Sequence, residues 1–299
     1  MAILSSSYPP VALDGAVVLV TGGGRGIGRA TGRAFARAGA RVWLGDRDEP
    51  AATAAAAELG HGARGWRVDV TERASFAAFV AAATAAHGRV DVLVNNAGVM
   101  PLGAFVDEPD AISRLTLEVN LWGLIHGLRL VLPAMQARGV GHVVNVASMA
   151  GRIAIPGMAI YNASKFAAVG LSLAVRREVA PSGVSVSAVL PSAVRTELAA
   201  GVPLGKGMPT VDAEDVAAAV LASVASRRAL IPVPGYLAAW DLLDAIVPER
   251  LMAWGRSLIG ERRALTSIDH RARDAYAARV AAQAAAHADA PSAGRRAPG

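Results

Sequence analysis

Short valine-rich apolar runs and alanine-rich stretches of helical length alternate from Ala16 to Pro191, and this alternation limits the fold more than any other feature of the chain. The apolar runs lie at 17–21, 41–46, 63–68, 90–95, 142–147 and 184–190, with helical patterns between them at 27–38, 73–86 and 163–179. Strands that alternate with helices need crossover connections, and crossovers give parallel sheets. The runs are continuously apolar rather than alternating, as expected of strands buried on both faces. The expected fold is therefore an α/β, doubly wound parallel sheet in three layers, α/β/α.

Past Pro191 the texture changes. Residues 192–210 are rich in Gly and Pro without a clear period and read as a long mobile loop. Asp212 is placed to cap a helix to about 225, and 230–233 suits a last strand. Residues 236–260 are apolar, with Trp240 and Trp254, and 283–299 are of low complexity and expected to be disordered. The expected organisation is an arm at 1–12, a dinucleotide-binding and catalytic domain at 13–235, a helical extension at 236–282 and a tail at 283–299.

Composition excludes several functions. The 299 residues carry a net charge of +6, but the arginines are dispersed and aromatics amount to 5%, which argues against a nucleic-acid reader. Cysteine is absent, so disulfides, thiolate nucleophiles and Cys-ligated zinc are excluded, and a cytoplasmic setting is expected. Residues 1–10 lack the pattern of a signal peptide. Mean hydropathy is +0.37, yet no charge-free run approaches the length of a spanning helix. The six histidines show no metal-ligand spacing and His126 reads as packing, so no metal is expected.

Thr21-Gly22-Gly23-Gly24-Arg25-Gly26-Ile27-Gly28 follows the first strand and opens the first helix. Glycines allow a sharp turn and a close approach to a pyrophosphate, whose charge meets the positive end of the helix, and Gly28 lets that helix pack on the sheet. Asp46 ends the second strand, about 20 residues on, where a carboxylate can bind the adenosine ribose and repel a 2′-phosphate. Arg25 and Arg47 oppose this preference, since either guanidinium can pair with that phosphate. The balance favours NAD over NADP. Tyr161 and Lys165 stand four apart on one helix face. A free tyrosine has a pKa near 10, and a neighbouring ammonium is expected to lower it toward a usable acid/base. Ser148 follows the fifth strand, where its hydroxyl can reach the same substrate oxygen.

Together these motifs resemble the short-chain dehydrogenase/reductase family, in its compact single-domain branch, over about 13–196. The glycine loop is similar to the family's T-G-x-x-x-G-x-G. The resemblance implies a Rossmann-type fold and further roles. Asp69 would contact adenine, and Asn95-Asn96-Ala97-Gly98 would support the sheet and line the cofactor. Asn120 would hold a proton-relay water through its backbone. Pro191 and Thr196 would lie at the nicotinamide carboxamide. The implied cofactor contacts are Thr21, Gly22, Gly24, Arg25, Gly26, Ile27, Gly28, Asp46, Arg47, Asp69, Val70, Asn96, Ala97, Gly98, Tyr161, Lys165, Pro191, Val194 and Thr196. The implied catalytic set is Asn120, Ser148, Tyr161 and Lys165: Tyr161 moves the proton, Ser148 holds the oxygen, and Lys165 binds ribose and tunes Tyr161.

Two departures from the family pattern stand out. Ser192 replaces a frequent glycine, and 230–235 reads Leu-Ile-Pro-Val-Pro-Gly where many members end near a D-G-G segment. A tetramer contact of that type is in doubt, while pairing through the long helices can still give a dimer, so a homodimer or homotetramer is expected. Residues 236–260 have three readings: an amphipathic helix pair on the domain, a lid over an apolar pocket with the 192–210 loop, or a peripheral membrane contact. The extension resembles that of members acting on lipid-like alcohols. Met100, Met149, Ile153, Ile155 and Met158 are candidates for a pocket lining, and the expected substrate is a hydrophobic secondary alcohol or ketone. Two alternatives stand beside an NAD-dependent dehydrogenase: an NADPH-dependent carbonyl reductase, and a catalytically silent dinucleotide-sensing protein.

Overall fold

Seven strands form one parallel sheet in the order β3-β2-β1-β4-β5-β6-β9 in the computed structural model, which describes residues 8–202, 209–240, 246–247, 250 and 263–289. They are β1 (Val17–Thr21), β2 (Arg41–Asp46), β3 (Arg64–Arg67), β4 (Val92–Asn95), β5 (Gly141–Val146), β6 (Val184–Pro191) and β9 (Leu230–Val233). All of their pairings are parallel. Alternate residues of each central strand enter two separate cores. Val17 and Leu19 face Phe76, Phe79 and Leu93, whereas Val18 and Val20 face Phe35, Leu44 and Val92. This double burial is what the unbroken valine runs encode.

The helices of eight residues or more are α1 (Gly26–Arg37), α2 (Glu49–Leu59), α3 (Arg73–His87), α4 (Asp110–Leu117), α5 (Gly123–Arg138), α6 (Ala159–Val179), α7 (Ala213–Ser226) and α8 (His270–Asp289). Asp48 caps α2 by accepting from the Ala51 amide at 3.1 Å, and α7 starts with a capping box between Asp212 and Asp215. The run 110–138 is long and apolar enough to cross a membrane by length and composition, but 56% of its apolar 18-residue window is buried inside the domain, as in a core helix.

Two expectations need correction. The 192–210 segment is not one unstructured loop: β7 (Ala193–Val194) pairs with β8 (Thr210–Val211), and Glu197–Ala199 forms a 3₁₀ turn. Nor does disorder begin at 283, because α8 continues to Asp289. Its low complexity is mostly alanine, the strongest helix former, and Tyr276, Val280 and Ala284 repeat every fourth residue as a buried stripe. Residues 203–208 and 290–299, and most of the expected helix pair at 236–260, lie outside the described residues.

A polar cluster lies within the core. His142 is fully buried, with Nδ1 at 2.8 Å from Ser185 Oγ and Nε2 at 2.9 Å from Ser223 Oγ. Burial, reinforced by the nearby Arg227 and Arg176 guanidinium groups, holds its pKa well below the ordinary 6.5. Arg227 donates to Ser185 Oγ at 2.8 Å and to the Pro9 carbonyl at 3.1 Å, tying the N-terminal arm to the sheet.

Candidate active site

The strand order reverses between β1 and β4, so the loops leaving their C-terminal ends diverge and open a crevice there. A cavity of about 610 Å³ fills it. One end is bounded by Asp46, Arg47, Asp69 and Val70, and the middle by Gly22, Arg25, Gly26 and Ile27 with Asn96, Ala97 and Gly98. The other end holds Ser148, Tyr161 and Lys165, with Pro191, Val194 and Thr196 along its side.

The glycine loop is built from its own backbone. Gly22 sits at φ +64°, a conformation that favours glycine. A Cβ on Gly28 would lie 2.0 Å from the Gly22 carbonyl oxygen, so α1 can approach the turn only with glycine there. Thr21 Oγ1 accepts from the Asn96 and Ala97 amides at 3.0 and 3.1 Å, and Asn96 Nδ2 donates back to the Thr21 and Gly22 carbonyls. Thr21, Gly24 and Gly28 therefore shape the crevice from behind rather than line it.

Asp46 also supports the loop. Its Oδ2 accepts from the Gly24 amide and its Oδ1 from the Asp48 amide, each at 3.0 Å. Arg25 forms a short ion pair with Asp48 and reaches Glu197 at 3.7 Å, so two carboxylates already neutralise it. Arg47 makes no hydrogen bond or ion pair among the described residues and faces the cavity. Asp69 Oδ1 accepts from the Thr71 amide and hydroxyl, which pins the turn that sets Val70 at the cavity wall. His126 Nδ1 lies 3.1 Å from the Val70 carbonyl, a packing role.

Tyr161 and Lys165 project from α6, one turn apart, with Lys165 Nζ 5.6 Å from the centre of the phenol ring. The Tyr161 hydroxyl is hydrogen-bonded to Ser148, whose Oγ also accepts from the Ala150 amide at 3.0 Å. Lys165 Nζ donates to the Val146 carbonyl at 3.1 Å. Asn120 lies in a π turn, Glu118–Trp122, between α4 and α5, and is wholly buried. Its amide bonds both the amide and the carbonyl of Val99 at 2.9 Å, and donates to Ser164 Oγ at 3.0 Å. It fixes the segment after Gly98 and does not line the cavity itself.

Electrostatics at this end differ from the sequence expectation. Burial pushes the Tyr161 phenol up to about 12, with Ser148 opposing and Tyr276 adding a little. Burial likewise pushes Lys165 down to about 8. Desolvation outweighs the ammonium because both groups lie in the same apolar enclosure.

Met100, Ile153, Ile155 and Met158 line the catalytic end, whereas Met149 turns into the core beneath it. Two supports were not singled out in the sequence. Asn162 donates to the Ala150 and Ile153 carbonyls at 2.7 and 2.8 Å and accepts from the Ile155 amide, clamping the wall behind Ser148. From α8, Tyr276 and Arg279 face the cavity, and Arg279 pairs closely with Glu197. The four-residue repeat of Tyr276, Val280 and Ala284 was the available signal. Among the described residues no three His, Asp or Glu side chains converge as a metal site.

The model of the short chain dehydrogenase family matches residues 16–206. A 3-alpha-(or 20-beta)-hydroxysteroid dehydrogenase of Mycobacterium tuberculosis is 37% identical over 194 residues, covering 64% of this chain and 74% of that protein. Estradiol 17-beta-dehydrogenase 11 of Rattus norvegicus is 33% identical over 247 residues, covering 81% and 83%. A short chain dehydrogenase/reductase from Burkholderia phymatum, solved in complex with NAD, superposes with a TM-score of 0.71 at 30% identity, covering 78% of this chain and 93% of that one. With a sheet order, a glycine-loop crevice and a family match that agree, the chain belongs to the short-chain dehydrogenase/reductase family of oxidoreductases.

Proposed function

We propose that the protein is an NAD-preferring dehydrogenase that interconverts a hydrophobic secondary alcohol and its ketone. The observation that carries this reading is the meeting of Ser148, Tyr161 and Lys165 at the apolar end of a cavity whose far end is closed by Asp46. The hydroxysteroid and estradiol dehydrogenases it is similar to are named for apolar secondary alcohols. The crevice also suits a dinucleotide. Its glycine loop admits close approach only because Cβ atoms are missing, and an acid-rich end suits a ribose diol.

When bound, the dinucleotide supplies the hydride donor or acceptor and, when oxidised, a positive charge. The chain supplies the proton chemistry. Tyr161, protonated at neutral pH, gives its proton to a carbonyl oxygen held by Ser148, and takes it back in the reverse direction. Lys165, still charged at neutral pH, steadies the phenolate left behind and would bind the nicotinamide ribose. Asn120 fixes the segment that follows Gly98 by bonding the Val99 amide and carbonyl. A Cβ on Gly98 would lie 3.3 Å from Asn120 Oδ1 and 3.7 Å from Lys165 Nζ.

Asp46 and the prior engagement of Arg25 support NAD, and the neighbouring cation Arg47 is what favours the second reading, an NADPH-dependent carbonyl reductase. Calorimetric titration with NADH and NADPH at equal salt tests this, with tighter NADH expected. Turnover in the Tyr161→Phe variant tests the chemistry: it should fall below detection while NADH affinity holds, and unchanged turnover would refute the assignment. We also propose a homodimer paired through α5 and α6, since Trp122 and Phe166 are 42% and 45% exposed on that side. Cytoplasmic placement is proposed on the absence of cysteine.

A further inference from the structure

Tyr276, Arg279, Val280 and Gln283 of α8 form one wall of the cavity. Tyr276 is nearly buried, and its hydroxyl accepts from the Met100 amide at 2.8 Å. Two guanidinium groups hold its ring, with Arg273 Cζ at 4.8 Å and Arg279 Cζ at 5.8 Å from the centroid. Arg273 is itself fixed, donating to the Leu198 and Ala200 carbonyls at 3.2 and 2.9 Å and closely to the Met100 carbonyl. Tyr276 is thus held directly at Met100 and by two arginines of its own helix, one of which ties it to the 198–200 segment.

Behind this ring lies a second cavity, of about 250 Å³. Its walls include the apolar Leu102, Pro109, Ile112, Ile268 and Ala277, with the charged Asp107, Glu108, Arg273 and Asp274 along the rest of the lining. Tyr276 and Val280 border both cavities, and Tyr276 is the larger of the two. On the catalytic side Tyr276 faces the apolar group of Met100, Met158, Tyr161 and Ile155 that would receive a hydrophobic substrate.

We propose that Tyr276 sets the upper length of substrate that the site admits, by partitioning the catalytic cavity from the second cavity behind it, whose walls are partly apolar. This rests on the hydrophobic alcohol and ketone reading above. A substrate tail gains affinity for each methylene it buries until it meets the Tyr276 ring, and gains nothing further beyond it. Removing the ring joins the two spaces and moves that limit outward.

The test uses a homologous series of 2-ketones, from short to long, titrated calorimetrically into full-length protein saturated with NAD, where no turnover occurs. In the wild type, affinity should rise about fourfold per added methylene and then level off. Tyr276→Ala should continue the rise through further methylenes. Tyr276→Phe, which keeps the ring, should level off at the wild-type length. Tyr276→Leu provides a milder truncation should the alanine variant fail to bind NAD, and its limit should fall between the two. Levelling at the same length in wild type and in a truncated variant that still binds NAD would overturn the partition. Ketone binding without turnover of the matching alcohols by wild type would instead refute the dehydrogenase reading and leave the partition standing. Binding of no ketone of any length would overturn both.

Discussion

Replacing Lys165 by Met should make the protein more stable and inactive. The ammonium is 5% exposed and keeps one hydrogen bond, to the Val146 carbonyl at 3.1 Å. Its burial lowers its pKa from 10.5 to about 8. At 1.36 kcal/mol per pH unit, that fall corresponds to about 3 kcal/mol by which the folded state is penalised at neutral pH. Methionine fills similar space without a charge, and the lost bond to Val146 offsets about 1 kcal/mol. The net gain is therefore about 2 kcal/mol, or a rise in Tm of roughly 5 °C for a chain of this size. Urea unfolding of both proteins without cofactor measures it, with circular dichroism to show that the fold persists.

The sign can be checked through pH. Between about 8 and 10.5 the unfolded chain still holds the lysine proton that the folded chain has released, so wild-type stability should rise with pH in that window. Below about 8 both states are protonated and the full penalty is present. Tyr161 is shifted the other way, to about 12, and loses stability only above pH 10, so measurements from 8 to 10 isolate the lysine. The Lys165→Met variant should lack the rise. An equal or lower urea midpoint for the variant, together with the same pH slope as wild type, would refute the argument.

His142 should make the fold acid-sensitive. Its folded pKa is depressed by burial, so stability is complete above about 6.5 and falls as pH drops below it, by at most about 1.4 kcal/mol per pH unit. Unfolding curves for wild type and His142→Gln between pH 5 and 8, as approximate limits, should differ in slope; parallel curves would show that His142 titrates normally. Gly28→Ala should cost about 1–3 kcal/mol and weaken NADH binding at least tenfold, because its Cβ would overlap the Gly22 carbonyl. Calorimetry and thermal unfolding read the two effects, and wild-type NADH affinity would contradict them. Asp46→Ser should narrow the NADH-to-NADPH affinity ratio by about tenfold, since it removes a like charge near a 2′-phosphate. It should also weaken NADH itself, because Gly24 and Asp48 each lose an acceptor; an unchanged ratio would dismiss Asp46 as the discriminator.

Strands and the first half of the site were legible because they depend on local chemistry. A valine run buried on both faces, or a glycine turn opening a helix, is specified by adjacent residues. Tyr161 and Lys165 were legible as a pair, but their environment was not. Whether an ammonium lowers a phenol's pKa or shares its desolvation depends on enclosure by residues as distant as Tyr276. The π turn at Asn120 and the short β7–β8 pairing also escaped, since neither has a periodic signature. The alanine-rich stretch from 283 read as low complexity, and within the expected helical extension only contact with the domain shows that Arg273 and Tyr276 face inward.

Glu197 stands between Arg25 of the glycine loop and Arg279 of α8. During synthesis the dinucleotide cradle leaves the ribosome first, and the wall carrying Tyr276 and Arg279 emerges more than a hundred residues after Tyr161. On the reading proposed above, the residues assigned to the cofactor, from Thr21 to Thr196, are all synthesised before the side chain assigned to substrate length. Removal of α8 would uncover the core face that Tyr276, Val280 and Ala284 bury. On that reading, discrimination is completed last in the synthesis of each chain, after the parts assigned to the nucleotide.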